Sequence, residues 1–225
     1  MKVGRTTAGL LLVILVAAAL RLFQLGAWSL DGDEIYSWYD VQDVLAGRTW
    51  PQGAQVAPGG YLLIAAFVAT LGLDEFSVRL GPSLCGLAAV AVLGLLRRDV
   101  RGPGERLATA ALAASSPWLV YHAQTARFYG PLLLCASLAL LWSLPGRGRR
   151  PGLAAVSWLG GVVCHPSAAL LAPGLLAPLV RDRRGRLRLL GLALAGAGLL
   201  AWLLRPDAPL EGAVTRALEG VDPGR

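Results

Sequence analysis

The chain has 225 residues, 55% of them hydrophobic and 16% charged, with mean hydropathy +0.56 and a formal charge of +7. Soluble domains run nearer 45–50% apolar and about a quarter charged, and here long apolar runs alternate with short charged ones. That pattern excludes a soluble enzyme, a disordered chain and a nucleic-acid module that owes its basic pI to one face.

A membrane-crossing helix takes roughly 20 residues, so seven would take about 140 and leave few polar segments for function. The first apolar run, Ala8 to Leu20, follows Lys2 and Arg5. Ala17-Ala18-Ala19 has the small-residue look of a signal-peptidase site. More apolar runs follow and the segment continues to about Leu25, so it reads as an uncleaved signal anchor. The further runs are Tyr61–Leu73, Val78–Leu96, Leu107–Tyr121, Pro131–Leu144, Leu153–Val163, Ala168–Val180 and Leu189–Leu204. The expected fold is an all-α integral membrane protein of about seven transmembrane helices, with an outer loop carrying short interfacial helices.

Tyr61–Leu73 decides the topology. It is short for a span, so residues 59–73 read as an embedded helix that does not cross. With a cytoplasmic N-terminus, Lys2, Arg5 and three arginine clusters (Arg97 to Arg106, Arg147 to Arg150, Arg181 to Arg188) then fall inside, 14 of the 21 basic residues. Arg21, Arg48, Arg79, Arg127, Arg205, Arg216 and Arg225 lie at the outer side. If the segment crossed, all three clusters would move outside, against the positive-inside rule. Of 14 acidic residues, 11 fall outside. The expected location is the plasma (inner) membrane, multi-pass. The arginines sit in short inter-helix loops, where topology and headgroup contact account for them, so no nucleic-acid partner is expected. Trp28, Trp118 and Trp202 fall near predicted outer ends, as an aromatic belt would place them.

The longest polar stretch, the outer loop 26–58, opens Trp28-Ser29-Leu30-Asp31-Gly32-Asp33-Glu34-Ile35-Tyr36. Three carboxylates within four residues suit a general base on a hydroxyl, or oxygen ligation of a divalent cation by Asp33 and Glu34. The plain alternative is a solvated turn in which Asp31 or Asp33 caps a short helix. A second outer loop, Ser116 to Tyr129, sets Arg127 where the chain turns back into the bilayer. An arginine at that depth needs an anionic partner, either a headgroup or a functional phosphate. His122, Gln124 and Tyr129 add polar groups beside it. His165, in Cys164-His165-Pro166-Ser167, marks a polar break on the same side. Arg79 reads as snorkelling to the outer interface. Cys85, Cys135 and Cys164 sit in apolar runs and read as buried small residues. The glycines in the spans read as close helix contacts.

The first-loop stretch resembles the signature of the membrane GT-C glycosyltransferases, in the bacterial branch similar to protein O-mannosyltransferases and aminoarabinose lipid A transferases. Ala57-Pro58-Gly59-Gly60-Tyr61-Leu62-Leu63 resembles that branch's Pro-Pro-Leu-Tyr-Tyr stretch, with glycines replacing one Pro and the Leu. Glu75 to Ser83 is similar to its next segment. Ser116-Pro117 through Gln124-Thr125-Ala126-Arg127-Phe128-Tyr129 resembles its Ser-Pro…Gln-Glu-Ala-Arg-Met-Tyr block, and His165 matches a later histidine.

The resemblance implies transfer of a sugar from a polyprenyl-phosphate donor to an acceptor on the outer face, with inversion at the anomeric carbon. Asp33 and Glu34 would take the catalytic acidic positions, with Arg127 and His165 at the donor phosphate. Asp31, Tyr36, Tyr61, His122, Gln124 and Tyr129 are further substrate contacts on this reading. No cofactor is required, with a divalent cation left open. Thr125 replaces the family's Glu, which removes a second acidic contribution. Family members are about twice as long. Residues 1–204 are therefore expected to form the N-terminal GT-C-like module and 205–225 a short outer tail, with a second polypeptide completing the transferase. The alternative is a truncated, non-catalytic membrane subunit that binds a lipid-linked sugar or a partner protein. A small transporter fits less well, because mid-span ionisable residues are lacking.

Overall fold

The computed structural model describes residues 2–48, 58–96, 102–144, 149–171 and 191. Among these residues the chain is all-helical and contains no strand. In order come α1 (Lys2–Leu22), α2 (Gly32–Leu45), α3 (Pro58–Leu71), α4 (Glu75–Gly94), α5 (Pro103–Ser115), α6 (Pro117–Gln124), α7 (Tyr129–Ser143), α8 (Pro151–Cys164) and a 3₁₀ turn, Pro166–Leu171. Proline opens α3, α5, α6 and α8. Its fixed φ suits the first helical turn, where its missing N–H would have had no partner.

The expectation of one helix over Leu107–Tyr121 is corrected: this stretch forms two, α5 and α6. Ser116 ends the first and caps the second. Its N–H still bonds the Leu112 carbonyl at 2.9 Å, but Pro117 forces it into extended backbone. Arg21, expected at the outer boundary, stands in the last turn of α1 and is fully buried, at 0% exposure. The predicted spans at 168–180 and 189–204, Trp202, the tail 205–225 and most of the arginine clusters lie outside the described residues, although the 3₁₀ turn occupies the start of the first.

Helix directions follow from named contacts. Gly94 of α4 meets Leu10 of α1, while Gly26, just past the end of α1, meets Phe76 near the start of α4, so the two are antiparallel. Gly9 meets Leu107, and Arg21 reaches the Ala113 and Ala114 carbonyls, so α1 and α5 run parallel. Gly130 opens α7 against Pro82, where any side chain would collide with the Pro82 carbonyl. The Arg150 N–H bonds the Trp142 carbonyl at 3.0 Å, which sets α8 antiparallel to α7. One end of the bundle therefore gathers the C-terminal ends of α1, α5 and α8 with the N-terminal ends of α4 and α7.

Both ends of α3 meet this same end. Gly59 touches Val163 and Cys164 of α8, Gly60 touches Phe128, and Leu71 leads directly into α4. At 1.5 Å per residue its 14 residues extend about 21 Å. The amphipathic α2 lies against α3. It buries Glu34, Ser37 and Val41 at helical spacing and exposes Ile35, Tyr36 and Tyr39. Val41, Tyr61, Ile64, Val68, Val78 and Ala126 form the core beneath it. A second core joins α1, α4 and α5 through Ala17, Val90, Ala110, Ala113 and Ala114.

Of the described helices α4 alone, with 20 residues, is long and apolar enough to cross a bilayer by length and composition; α3, α7, α8 and Thr6–Leu22 are shorter apolar helices. The outward face of α1 is unlike that of a soluble bundle. Leu11, Leu12, Leu15 and Phe23 are all more than half exposed, an apolar surface that calls for lipid or a partner. Trp28 and Trp118 are both exposed at the shared end.

Candidate active site

The first outer loop is built around one buried ion pair. Asp31 caps α2: its Oδ1 accepts the N–H groups of Asp33 at 3.0 Å and Glu34 at 2.9 Å, and Glu34 Oε2 accepts the Asp31 N–H at 3.0 Å. The sequence spells this capping box as Asp-x-x-Glu. Glu34 then faces inward onto α4. Arg79 donates to it twice, Nε to Oε1 at 2.7 Å and Nη2 to Oε2 at 2.6 Å. The remaining Arg79 donors go to the carbonyls of Leu25, Trp28 and Ser29. All five guanidinium N–H groups are used, so the chain leaving α1 is pinned to α4. The expectation that Arg79 snorkels outward is corrected: it is 5% exposed and turned inward.

Glu34 also ties this loop to the second one. Its Oε1 accepts the Ala126 N–H at 2.7 Å, so its two oxygens hold four donors in all. The next residue, Arg127, is 7% exposed and its Nη1 donates to the Asp33 carbonyl at 2.8 Å. Its Nη2 lies 3.8 Å from Asp33 Oδ2, on a carboxylate whose side chain is 67% exposed. Arg127 Nε is buried without a partner. Of the crowded carboxylates, Asp33 is thus the open one.

Phe128 carries the site on to His165. Arg127 sits 5.5 Å from the Phe128 ring centroid, and His165 stacks on that ring at 3.9 Å and 12°. His165 Nδ1 accepts the Ser167 N–H at 3.1 Å and lies 2.7 Å from Ser167 Oγ. A backbone N–H can only donate, so Nδ1 is an acceptor and the neutral ring carries its proton on Nε2. Burial, and then the Arg127 charge, hold the His165 pKa below its ordinary value.

The other candidates divide. The Tyr121 hydroxyl, a residue the sequence reading had not singled out, donates to Asp31 Oδ2 at 3.3 Å; the Asp31 charge raises its pKa. Tyr129 lies 4.3 Å from His122, ring to ring. His122 is also edge-on to Trp118 at 4.0 Å. Both His122 ring nitrogens are buried without a partner, and burial lowers its pKa. Trp118, His122, Tyr129, Leu132 and Ala136 help line a cavity of about 230 Å³ between α6 and α7. Tyr36 is exposed on α2, Tyr61 is buried in the core, and Gln124 donates to the Leu20 and Phe23 carbonyls at 3.0 and 3.2 Å.

The residues do not fit a two-carboxylate metal site, because the Glu34 oxygens are committed to Arg79, Ala126 and Asp31. Among the described residues no three His, Cys, Asp or Glu side chains converge as a metal set.

Residues 55–206 match the family model for dolichyl-phosphate-mannose-protein mannosyltransferases. The match takes in Arg79, Arg127 and His165 and begins after the acidic pair. No curated protein and no solved structure matches the chain.

Proposed function

Because the chain belongs to the dolichyl-phosphate-mannose-protein mannosyltransferase family, a membrane-embedded glycosyltransferase family of the GT-C kind, we propose that it moves a sugar from a polyprenyl-phosphate donor to an acceptor hydroxyl at the outer membrane face. The observation that carries this reading is the pairing of Asp33 and Arg127, an exposed carboxylate beside a buried arginine with a donor to spare. The acceptor oxygen attacks C1 while the bond from C1 to the phosphate oxygen breaks, which inverts the anomeric centre. Asp33 takes the hydroxyl proton. Arg127 donates to the phosphate as charge grows on the departing lipid phosphate. Neutral His165 adds its Nε2–H at the far side of Phe128. Glu34 holds Asp33 and Arg127 together and is not the base, because its oxygens are filled. The lipid bilayer keeps the donor's tail, so no nucleotide-binding fold is needed.

In the membrane, α1, α4, α5, α7 and α8 alternate as crossings from a cytoplasmic N-terminus, and α3 enters and leaves on the outer side. Counted with the sequence-predicted runs at 168–180 and 189–204, which lie mostly outside the described residues, the proposed crossings number seven, and a second polypeptide supplies the acceptor side. Sulfhydryl labelling of cysteines placed at Ser29 and Gly104 is expected to need reagent on opposite sides; labelling of both from one side would discard this topology.

Asp33→Asn should lower sugar transfer in proteoliposomes by about 10²–10⁴-fold with insertion unchanged. Transfer at the wild-type rate would remove Asp33 from its role. The runner-up, a non-catalytic subunit, predicts donor binding without turnover in the wild-type protein.

A further inference from the structure

Two side chains join α1 to the elbow between α5 and α6, one in each direction: Arg21 of α1 caps α5, and Gln124 of α6 caps α1. Pro117 has no N–H, so the Ala113 carbonyl, four residues back, loses its helical donor. Arg21 of α1 replaces it: Nη2 reaches the Ala113 carbonyl at 2.9 Å and Nη1 the Ala114 carbonyl at 3.1 Å. In return Gln124, the last residue of α6, donates to the Leu20 and Phe23 carbonyls where α1 runs out of turns. Both helices sit on α4. Ser83 Oγ donates to the Ala123 carbonyl at 2.9 Å, and a Cβ at Gly86 would stand 2.6 Å from the Ala123 methyl.

Helix stability alone does not account for this exchange. A helix that ran on past Ser116 with an N–H-bearing residue in place of Pro117 would satisfy the Ala113 and Ala114 carbonyls itself and would need no arginine at 0% exposure, with its Nε left unpartnered. The break at Ser116-Pro117 does something else. It redirects the chain into α6, and three residues past Gln124 stands Arg127. On the other side, four residues past Arg21, Leu25 opens the stretch that Arg79 pins and that leads to Asp33. The two halves of the site therefore leave one reciprocal lock.

The geometry points to Arg21 and Gln124 as positioning residues for transfer, whose exchanged caps fix the separation of Asp33 from Arg127. Neither touches the reacting groups. This inference rests on the proposed roles of Asp33 and Arg127, but its structural half can be tested without them.

Gln124→Glu keeps the shape and, ionised, cannot donate to either carbonyl. In proteoliposomes with a polyprenyl-phosphate sugar it should lower kcat about 10- to 100-fold, as a misplacement near 1 Å does, while donor KM stays within about twofold. Arg21→Lys, which can still serve one carbonyl, should recover more kcat than Arg21→Met. A lower thermal midpoint with unchanged kcat per folded molecule would overturn the inference. The second readout needs no catalysis. With Cys85, Cys135 and Cys164 replaced, nitroxide labels at the exposed Tyr39 and Trp118 positions report the α2–α6 distance by pulsed electron resonance. The distribution should broaden in Gln124→Glu and stay narrow otherwise. An unchanged distribution would sink the lock, even if the wild-type protein transfers no sugar; broadening in a protein inactive from the start would keep the lock and discard the catalytic reading.

Discussion

Arg79 and Arg127 sit at the same end of the bundle, 5% and 7% exposed, and each faces one member of the same acidic pair. Arg79 spends every donor on Glu34 and on three carbonyls of the chain leaving α1. Arg127 makes one close bond, to the Asp33 backbone, holds the Asp33 carboxylate only at 3.8 Å, and leaves Nε unused. The first arginine is closed and the second open. A closed cation fixes geometry, whereas an open buried one has capacity for an anion that arrives later. The two carboxylates divide in the same way, Glu34 filled and Asp33 exposed.

This contrast can be broken most sharply at Arg79. Arg79→Ala strands Glu34 in the core and should cost about 3–5 kcal/mol, read as a large drop in the thermal midpoint in detergent. The double variant Arg79→Met with Glu34→Gln removes the stranded charge and should recover part of that loss. Equal losses in both would mean that the clamp is not electrostatic.

Arg127→Ala should do the reverse. Sugar transfer is expected to fall about 10²–10³-fold, the usual effect of deleting one donor to a developing anion, with a thermal midpoint close to wild type. A thermal loss as large as that of Arg79→Ala would erase the distinction between the two sites.

The smallest effect concerns His165. Its folded pKa lies below the ordinary value of about 6.5, so the folded state resists a proton that the unfolded chain accepts. Stability is therefore flat above pH 6.5 and declines as the pH falls from 6.5 toward the folded pKa. His122 is shifted in the same direction, so the test is a difference. His165→Asn should flatten part of the fall in thermal midpoint between pH 7.5 and 5.5, and an unchanged slope would show that His165 is not a source of it.

Local chemistry made much of this legible in the sequence. Asp31 as a helix cap is a short-range signal that the structure carries, and the prolines that open α3, α5, α6 and α8 are signals of the same local kind. The short apolar run after Pro58 likewise read as a helix, and Pro58–Leu71 forms one, of the same 14 residues as α8. The long apolar run through Tyr121 was misread as one helix because hydropathy outweighed the proline signal inside it.

The sequence by itself determined which residues turn, cap and bury, because those follow from backbone propensity and from side-chain polarity within a few positions. Only the tertiary structure decided which carboxylate is open. Asp33 and Glu34 are adjacent and chemically alike, and their fates diverge because one helical step rotates Glu34 onto α4, where Arg79 waits 45 residues away, and leaves Asp33 facing out beside Arg127. The partners of Arg21 and Gln124, 93 and 104 residues distant, are of the same kind. Such pairings depend on how helices pack and rotate against one another, and no periodicity along one chain records that.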